Sequence, residues 1–241
     1  MTAFALRNLK ELLRDKLNAA FGLGFPLVIL GLLTLIQSNV PVDLFRLPEL
    51  TPGVCVFGLS FVALFSGTLI SRDRCRSFLP RLYCSPLRPH QYILGYTLPL
   101  LPLALGQMLC CFAFALLLGL SFTPRILLVL AVSLPTAVLY IALGLLCGSL
   151  LTDKQVGGVC GALLTNLSAW LSGVWFDLDL LGGTVKKVCA VLPFYPAVEA
   201  GRAALDGRYG EMLPKLAVVS LWAAALLVLA ALAFRRQMKR A

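Results

Sequence analysis

The sequence predicts an all-α membrane protein: six transmembrane helices, an N-terminal amphipathic helix lying in the membrane interface, and both termini cytoplasmic. Three observations predict it. The 241 residues are 59% apolar and only 13% charged, with a mean hydropathy of +0.90, whereas soluble domains carry roughly 25% charged residues. Six apolar runs each approach the ~20 residues that a helix needs to cross the hydrocarbon core. The net charge of +10 falls on one side of those runs.

Residues 1–17 form the interfacial helix. Leu6, Leu9, Leu13 and Leu17 recur at helical spacing, with Arg7, Lys10, Glu11 and Arg14 on the other faces. No small-residue cleavage pattern follows, so the segment is read as part of the working chain and not as a leader. One six-span domain, 18–241, comes next, with spans at about 18–36, 53–71, 93–120, 126–150, 156–175 and 215–234. Pro26 and Pro135 bend the first and fourth spans, and Pro99 and Pro102 break or kink the long third. The pairs Gly144/Gly148 and Gly157/Gly161 permit close helix contact.

Charge sets the orientation. The N-terminal segment, the polar loop 72–92, residues 152–154 and the tail after 234 share one side, with 14 basic and 4 acidic residues; the other side holds 7 of each. The positive-inside rule makes the first side cytoplasmic. The last outer segment, 176–214, is too long for a simple turn, and its apolar stretch VCAVLPFYP predicts a re-entrant or interfacial helix pair capping the bundle.

The same map excludes most chemistry. The 21 Lys and Arg and the 11 Asp and Glu all lie outside the spans or at their ends. A charge at mid-span costs roughly 2.5–3.5 kcal/mol and is kept for function, so charge-coupled transport is not indicated. One histidine and eight cysteines without a C-x-x-C pair give no metal site. There is no G-x-x-x-x-G-K-[ST] phosphate cradle and no Gly-Lys pair. The reading is therefore a chain that is not an enzyme and binds no cofactor of its own. The basic residues lack interleaved aromatics, so the partner they indicate is the lipid bilayer and not nucleic acid. Cys55 and Cys189 lie nearest the outer face, and the sequence leaves a disulfide between them open.

The loop SRDRCRSFLPRLYCSPLRPHQY, 71–92, carries five arginines and the one histidine. Ser77–Tyr83 reads as a short amphipathic helix stopped by Pro86 and Pro89. On charge alone the loop is either a docking surface or an ordinary basic cytoplasmic loop. Its run Ser71-Arg72-Asp73-Arg74-Cys75-Arg76, followed by Arg81-Leu82-Tyr83-Cys84-Ser85-Pro86-Leu87, resembles the acidic–basic turn and coupling helix of the type-2 ABC exporter permeases. Leu192–Arg202, with Pro193, Tyr195 and Arg202, resembles that family's outer-side stretch. The loop departs from the commoner form in having Arg and Cys where Glu and Gly are frequent, which bears on the choice of ATPase.

The resemblance implies the permease subunit of an ATP-driven exporter in a bacterial inner or plasma membrane. It implies a second permease, as homodimer or heterodimer, and ABC ATPase subunits that hold ATP and Mg. Asp73, Arg74, Arg76, Arg81, Leu82, Tyr83, Ser85, Pro86 and Leu87 would form the coupling surface, arginines pairing with acids and Leu82, Tyr83 and Leu87 anchoring. A cargo path would be lined by the second and fifth spans. There Phe57, Phe61 and Phe65 make an i, i+4, i+8 stripe, read either as lining or as packing and lipid contact. Asn166, with Trp170 one turn on, faces either a wet path or a hydrogen bond to another helix. Gln107 has the same two readings. An uncharged aromatic path suits an amphipathic or hydrophobic cargo, such as a drug, antibiotic, peptide or lipid. A scaffold or assembly factor, or a passive channel, would share the bundle; ATPase binding at 72–92 separates them.

Overall fold

The computed structural model describes residues 2–41, 45–75, 89–175, 178 and 182–238, and no strand occurs among them. The first helix, α1 (Thr2–Arg14), packs on the bundle through a face that the leucine stripe does not mark. Phe4, Ala5 and Asn8 are buried, and the Phe4 ring meets Tyr96 edge-on at 5.0 Å. Leu6 and Leu13 stay exposed. At 100° per residue the apolar arc is wider than one stripe. Part of it packs on protein, part is left for lipid, and exposed Lys10 and Arg14 complete the polar side.

The remaining elements are α2 (Lys16–Asn39), α3 (Leu47–Cys75), α4 (Pro89–Leu117), α5 (Arg125–Val132) and α6 (Leu134–Leu150). Then come α7 (Asp153–Val156), a π-helical segment (Gly157–Leu164), α8 (Thr165–Leu171), α9 (Gly183–Val191), α10 (Phe194–Asp206) and α11 (Tyr209–Met238). Among the described residues five stretches are long and apolar enough to cross a membrane: 20–39, 47–75, 91–117, 125–150 and 209–237. A sixth is reached if α9 and α10, bent by 84° at their junction, count as one span. The stretch expected as the fifth span is a continuous helical run, Asp153–Leu171, wound as a π-helix in its middle.

The prolines act differently from one another. Pro99 and Pro102 do not break α4, which runs through both as one helix; neighbouring groups in a bundle can re-satisfy the freed carbonyls. The fourth span does break, between α5 and α6 at Ser133. Pro135 has no N–H for the Ala131 carbonyl and its ring crowds that oxygen.

Helix α3 is the central post: 89% of its apolar window is buried, against 17% for α2 and 22% for α11. Its small and hydroxylated residues let neighbours in. A Cβ at Gly144 of α6 would lie 2.1 Å from the Ala63 carbonyl oxygen, and one at Gly148 would lie 2.4 Å from that of Gly67. Ser66 Oγ adds a 3.0 Å hydrogen bond to the Ile141 carbonyl. The second glycine pair is not a helix crossing. A Cβ at Gly157 would meet nothing, and one at Gly161 only Leu64 at 3.4 Å. Cys55 and Cys189 are both free, which closes the disulfide alternative; the Cys55 thiol lies 3.9 Å from the Met108 carbonyl instead.

The polar 72–92 segment is not a loop throughout. Helix α3 runs through Cys75 and α4 starts at Pro89, so both ends of the 72–92 segment are helical. The short helix expected at 77–83 lies outside the described residues.

Candidate functional site

Three features stand out: a lateral groove, the root of the 72–92 segment and a clamp at the opposite end. The groove encloses about 570 Å³ between α2, α3, the π-helical segment and α8. Its floor is aromatic. Phe25 of α2 meets Phe61 edge-on at 5.5 Å, Phe57 and Phe61 are 5.9 Å apart, and Phe57 meets Trp175 at 5.8 Å. It is open where Phe21, Phe25 and Trp170 are exposed. Asn166 lines it as well, and its side-chain amide donates to the Ala162 carbonyl of its own helical run at 2.8 Å. The amide is thus satisfied locally and not by another helix. Thr165 Oγ1 likewise donates to the Cys160 carbonyl, five residues back, as π-helical winding allows.

The structure brings Phe57, Phe61, Asn166 and Trp170 together at this groove and sends Phe65 elsewhere. The Phe65 ring lies over Gly22, where a Cβ would meet it at 2.5 Å, and borders a smaller cavity of about 90 Å³ beside Leu12, Leu23 and Leu69. Sequence reasoning missed Phe21, Phe25, Ile29 and Trp175. Phe21, Phe25 and Ile29 repeat at i, i+4, i+8, the same signal that marked the stripe on α3.

At the loop root three consecutive residues are fixed to three parts of the chain. Arg72 pairs with Asp15 at 3.0 Å and Asp153 at 3.6 Å. Asp73 is 1% exposed and takes two hydrogen bonds from Arg7, at 2.6 and 2.7 Å, and one from the Tyr96 hydroxyl at 2.9 Å. Burial opposes the charge on Arg7, but the hydrogen bond and charge of Asp73 outweigh it, so the guanidinium pKa is raised. Beside this pair, Asn8 donates to the Gly95 carbonyl at 3.0 Å. Arg74 donates to the Ser149 and Leu151 carbonyls at the end of α6. Asp73 and Arg74 are therefore engaged within the chain, where the sequence reading offered them to a partner. Arg76, Arg81, Leu82, Tyr83, Ser85, Pro86 and Leu87 lie outside the described residues.

The other end carries its own clamp. Arg202 of α10 donates to the Glu49 carbonyl of α3 at 2.9 Å and to the Gly173 carbonyl at 3.2 Å, and pairs with Glu199 at 3.0 Å. Lys215 of α11 pairs with Glu199 at 3.0 Å. Pro193 occupies the N-cap of α10, and a Cβ at Gly173 would meet Tyr195 at 3.5 Å. Ion pairs thus join residues that the charge map places on the same side.

A buried polar root beside the basic 72–92 segment, the central α3 and a groove without a charged side chain among the described residues suit a permease. The family model of the ABC-2 type transporter membrane domain matches residues 1–205. The chain belongs to this family. It is the permease part of an ABC transporter, a multi-pass membrane protein whose family has no catalytic activity itself and generally works with an ABC ATPase. A search among curated proteins finds no match. In an ABC-2 permease the groove is a place to look for cargo and the loop root a place to look for coupling.

Proposed function

We propose that this ABC-2 permease is an exporter subunit that moves an amphipathic or hydrophobic cargo, driven by a separate ATPase carrying ATP and Mg. The observation that carries the reading is the groove. Its volume falls in the roughly 300–1,000 Å³ range of small-molecule sites, and among the described residues aromatic rings, Thr165 and Asn166 line it without a charged side chain. A molecule that is apolar on most of its surface, with one or two hydrogen-bonding groups, fits such walls. A second permease facing the open side would complete the enclosure. The run Asp153–Leu171 would be the fifth of six spans, both termini would be cytoplasmic, and the host would be a bacterial cell membrane. The 176–214 segment would re-enter or cap the outer face, with Arg202 holding it to α3.

In this reading the ATPase docks on the 72–92 segment, with Arg76 and Arg81 pairing with its acids and Leu82, Tyr83 and Leu87 inserted. Asp73 and Arg74 hold the root of that segment in place. Two results are expected. The tagged wild type, solubilised in mild detergent, brings down an ATP-hydrolysing chain, and the Arg81→Glu, Tyr83→Ala double variant does not; retention by the variant rejects the docking surface. Nile red, a neutral amphipathic dye, binds the purified protein about 5- to 100-fold more weakly after Phe25→Ala with Phe57→Ala. Aromatic contacts contribute about 0.5–1.5 kcal/mol each and 1.4 kcal/mol is tenfold. An unchanged dye titration rejects the groove.

A further inference from the structure

Helix α1 turns one side to the bundle, and its other side carries cations that are left unpaired among the described residues. Leu13, Leu6, Lys10 and Arg14 follow one another around the helix over an arc of about 100°, and all four are exposed. The acids of this region are already engaged: Glu11 pairs with Arg7 at 2.6 Å and Asp15 with Arg72 at 3.0 Å. Lys10 and Arg14 have no ion pair or side-chain hydrogen bond among the described residues. They stand four positions apart, so their Cβ atoms are neighbours at roughly 5–6 Å. Both line one concavity, of about 580 Å³, together with Leu6, Arg7 and Glu11. Among the described residues that space therefore faces three bases and one acid, and the acid is held by Arg7.

The depth of this face follows from the helix after it. Helix α2 starts at Lys16 and its apolar stretch at Ala20. A rise of about 1.5 Å per residue then puts the end of α1 about 6 Å from the hydrocarbon edge, and the headgroup layer is about 5–8 Å thick on each side of a bilayer. Leu6 and Leu13 at one edge of the arc suit the acyl boundary, and Lys10 and Arg14 at the other suit phosphates. An acidic protein surface would answer the cations but leave the two leucines without an apolar neighbour. We infer that α1 binds anionic phospholipid, with one phosphate held between Lys10 and Arg14 and with Leu6 and Leu13 in the acyl layer. Each Lys or Arg near an anionic membrane surface strengthens attachment about fivefold, so the two together supply about thirtyfold. The lipid site requires only a multi-pass membrane protein, and no particular cargo or direction of transport.

The test is hydrogen–deuterium exchange of residues 2–14, read on the purified full chain in a neutral detergent. The chain is titrated with dioctanoyl phosphatidylglycerol and, separately, with the zwitterionic dioctanoyl phosphatidylcholine. In wild type the anionic lipid slows exchange, and the zwitterionic lipid at equal concentration does not. Lys10→Gln with Arg14→Gln raises the midpoint of the anionic titration about thirtyfold. The charge-keeping pair Lys10→Arg with Arg14→Lys leaves it near the wild-type value. Glutamine is a good helix former and both positions are exposed, so the melting curve in phosphatidylcholine stays that of wild type. The comparison of the two lipids on wild type needs no variant at all. Equal protection by both lipids overturns the site, since α1 would then be held by its leucines alone. A double glutamine variant with the wild-type midpoint overturns it too. If that variant keeps its lipid response but loses the co-purifying ATP-hydrolysing chain, the two cations serve a protein partner and the lipid site is rejected. Neither lipid titration involves cargo or ATPase, so failure here leaves the exporter reading standing, and failure of the pull-down leaves the lipid site standing.

Discussion

Gly144→Ala lowers Tm of the purified protein by about 6–12 °C or abolishes its expression, while Gly157→Ala leaves Tm unchanged or raises it slightly. The added methyl is the same in both. At Gly144 it would lie 2.1 Å from the Ala63 carbonyl oxygen, and backbone is what cannot step aside; at Gly157 nothing lies within 4 Å. Overpacking costs roughly 1–3 kcal/mol, and the upper end applies where α3 and α6 must separate along their length. About 3 kcal/mol corresponds to that shift for a chain of this size. At Gly157 the relief of glycine's backbone entropy, about 0.5–1 kcal/mol, is the main term. Scanning calorimetry or a dye-based melt of both variants decides it. Equal tolerance would mean that the α3–α6 crossing is not close-packed.

Asp73→Ala should cost about 3 kcal/mol and release α1 from the bundle. Removing one partner of a buried ion pair costs roughly 3–5 kcal/mol, and the low end is apt because the Arg7 side chain is 35% exposed while that of Asp73 is 1% exposed. The loss spreads over two elements, since Tyr96 of α4 also donates to Asp73. Limited trypsin digestion checks it: cleavage after Arg7, Lys10 and Arg14 should become fast in the variant and stay slow in wild type. Arg7→Met added to Asp73→Ala should cost little more, because residues acting on one carboxylate are not additive. A variant that keeps both its melting point and its resistance to trypsin would show that α1 is held without this ion pair, by Phe4 and the Asn8 hydrogen bond to Gly95.

Much of this fold was legible because bilayers impose lengths and interfaces impose amphipathic faces. The apolar runs, the amphipathic start and the bent pair α9–α10 follow from such rules. Burial was not legible. Lipid and a protein core select the same Leu, Val and Phe, so hydropathy cannot tell the buried α3 from the peripheral α2 and α11. The hints were the small residues of α3 and the Gly144/Gly148 pair; Gly157/Gly161 gave the same hint and it failed, because spacing says nothing of what lies opposite. The groove was half legible for a related reason. A phenylalanine stripe marks a face, but which third helix approaches that face is a tertiary fact, and it separated Phe65 from Phe57 and Phe61. Asp73 and Arg74 read as surface charges because nothing local announces that Arg7, 66 positions away, or the end of α6 will reach them.

The loop root also has a mechanical meaning. Arg72, Asp73 and Arg74 are successive residues, yet they are tied to the α1–α2 junction and α7, to α1 and α4, and to the end of α6. A joint braced in three directions has no soft axis. In the proposed transporter a push on the 72–92 segment would not be spent on swinging α3 past its neighbours. It would arrive as rigid displacement of that whole end, so the stroke available to the other half of the bundle would equal the stroke put in.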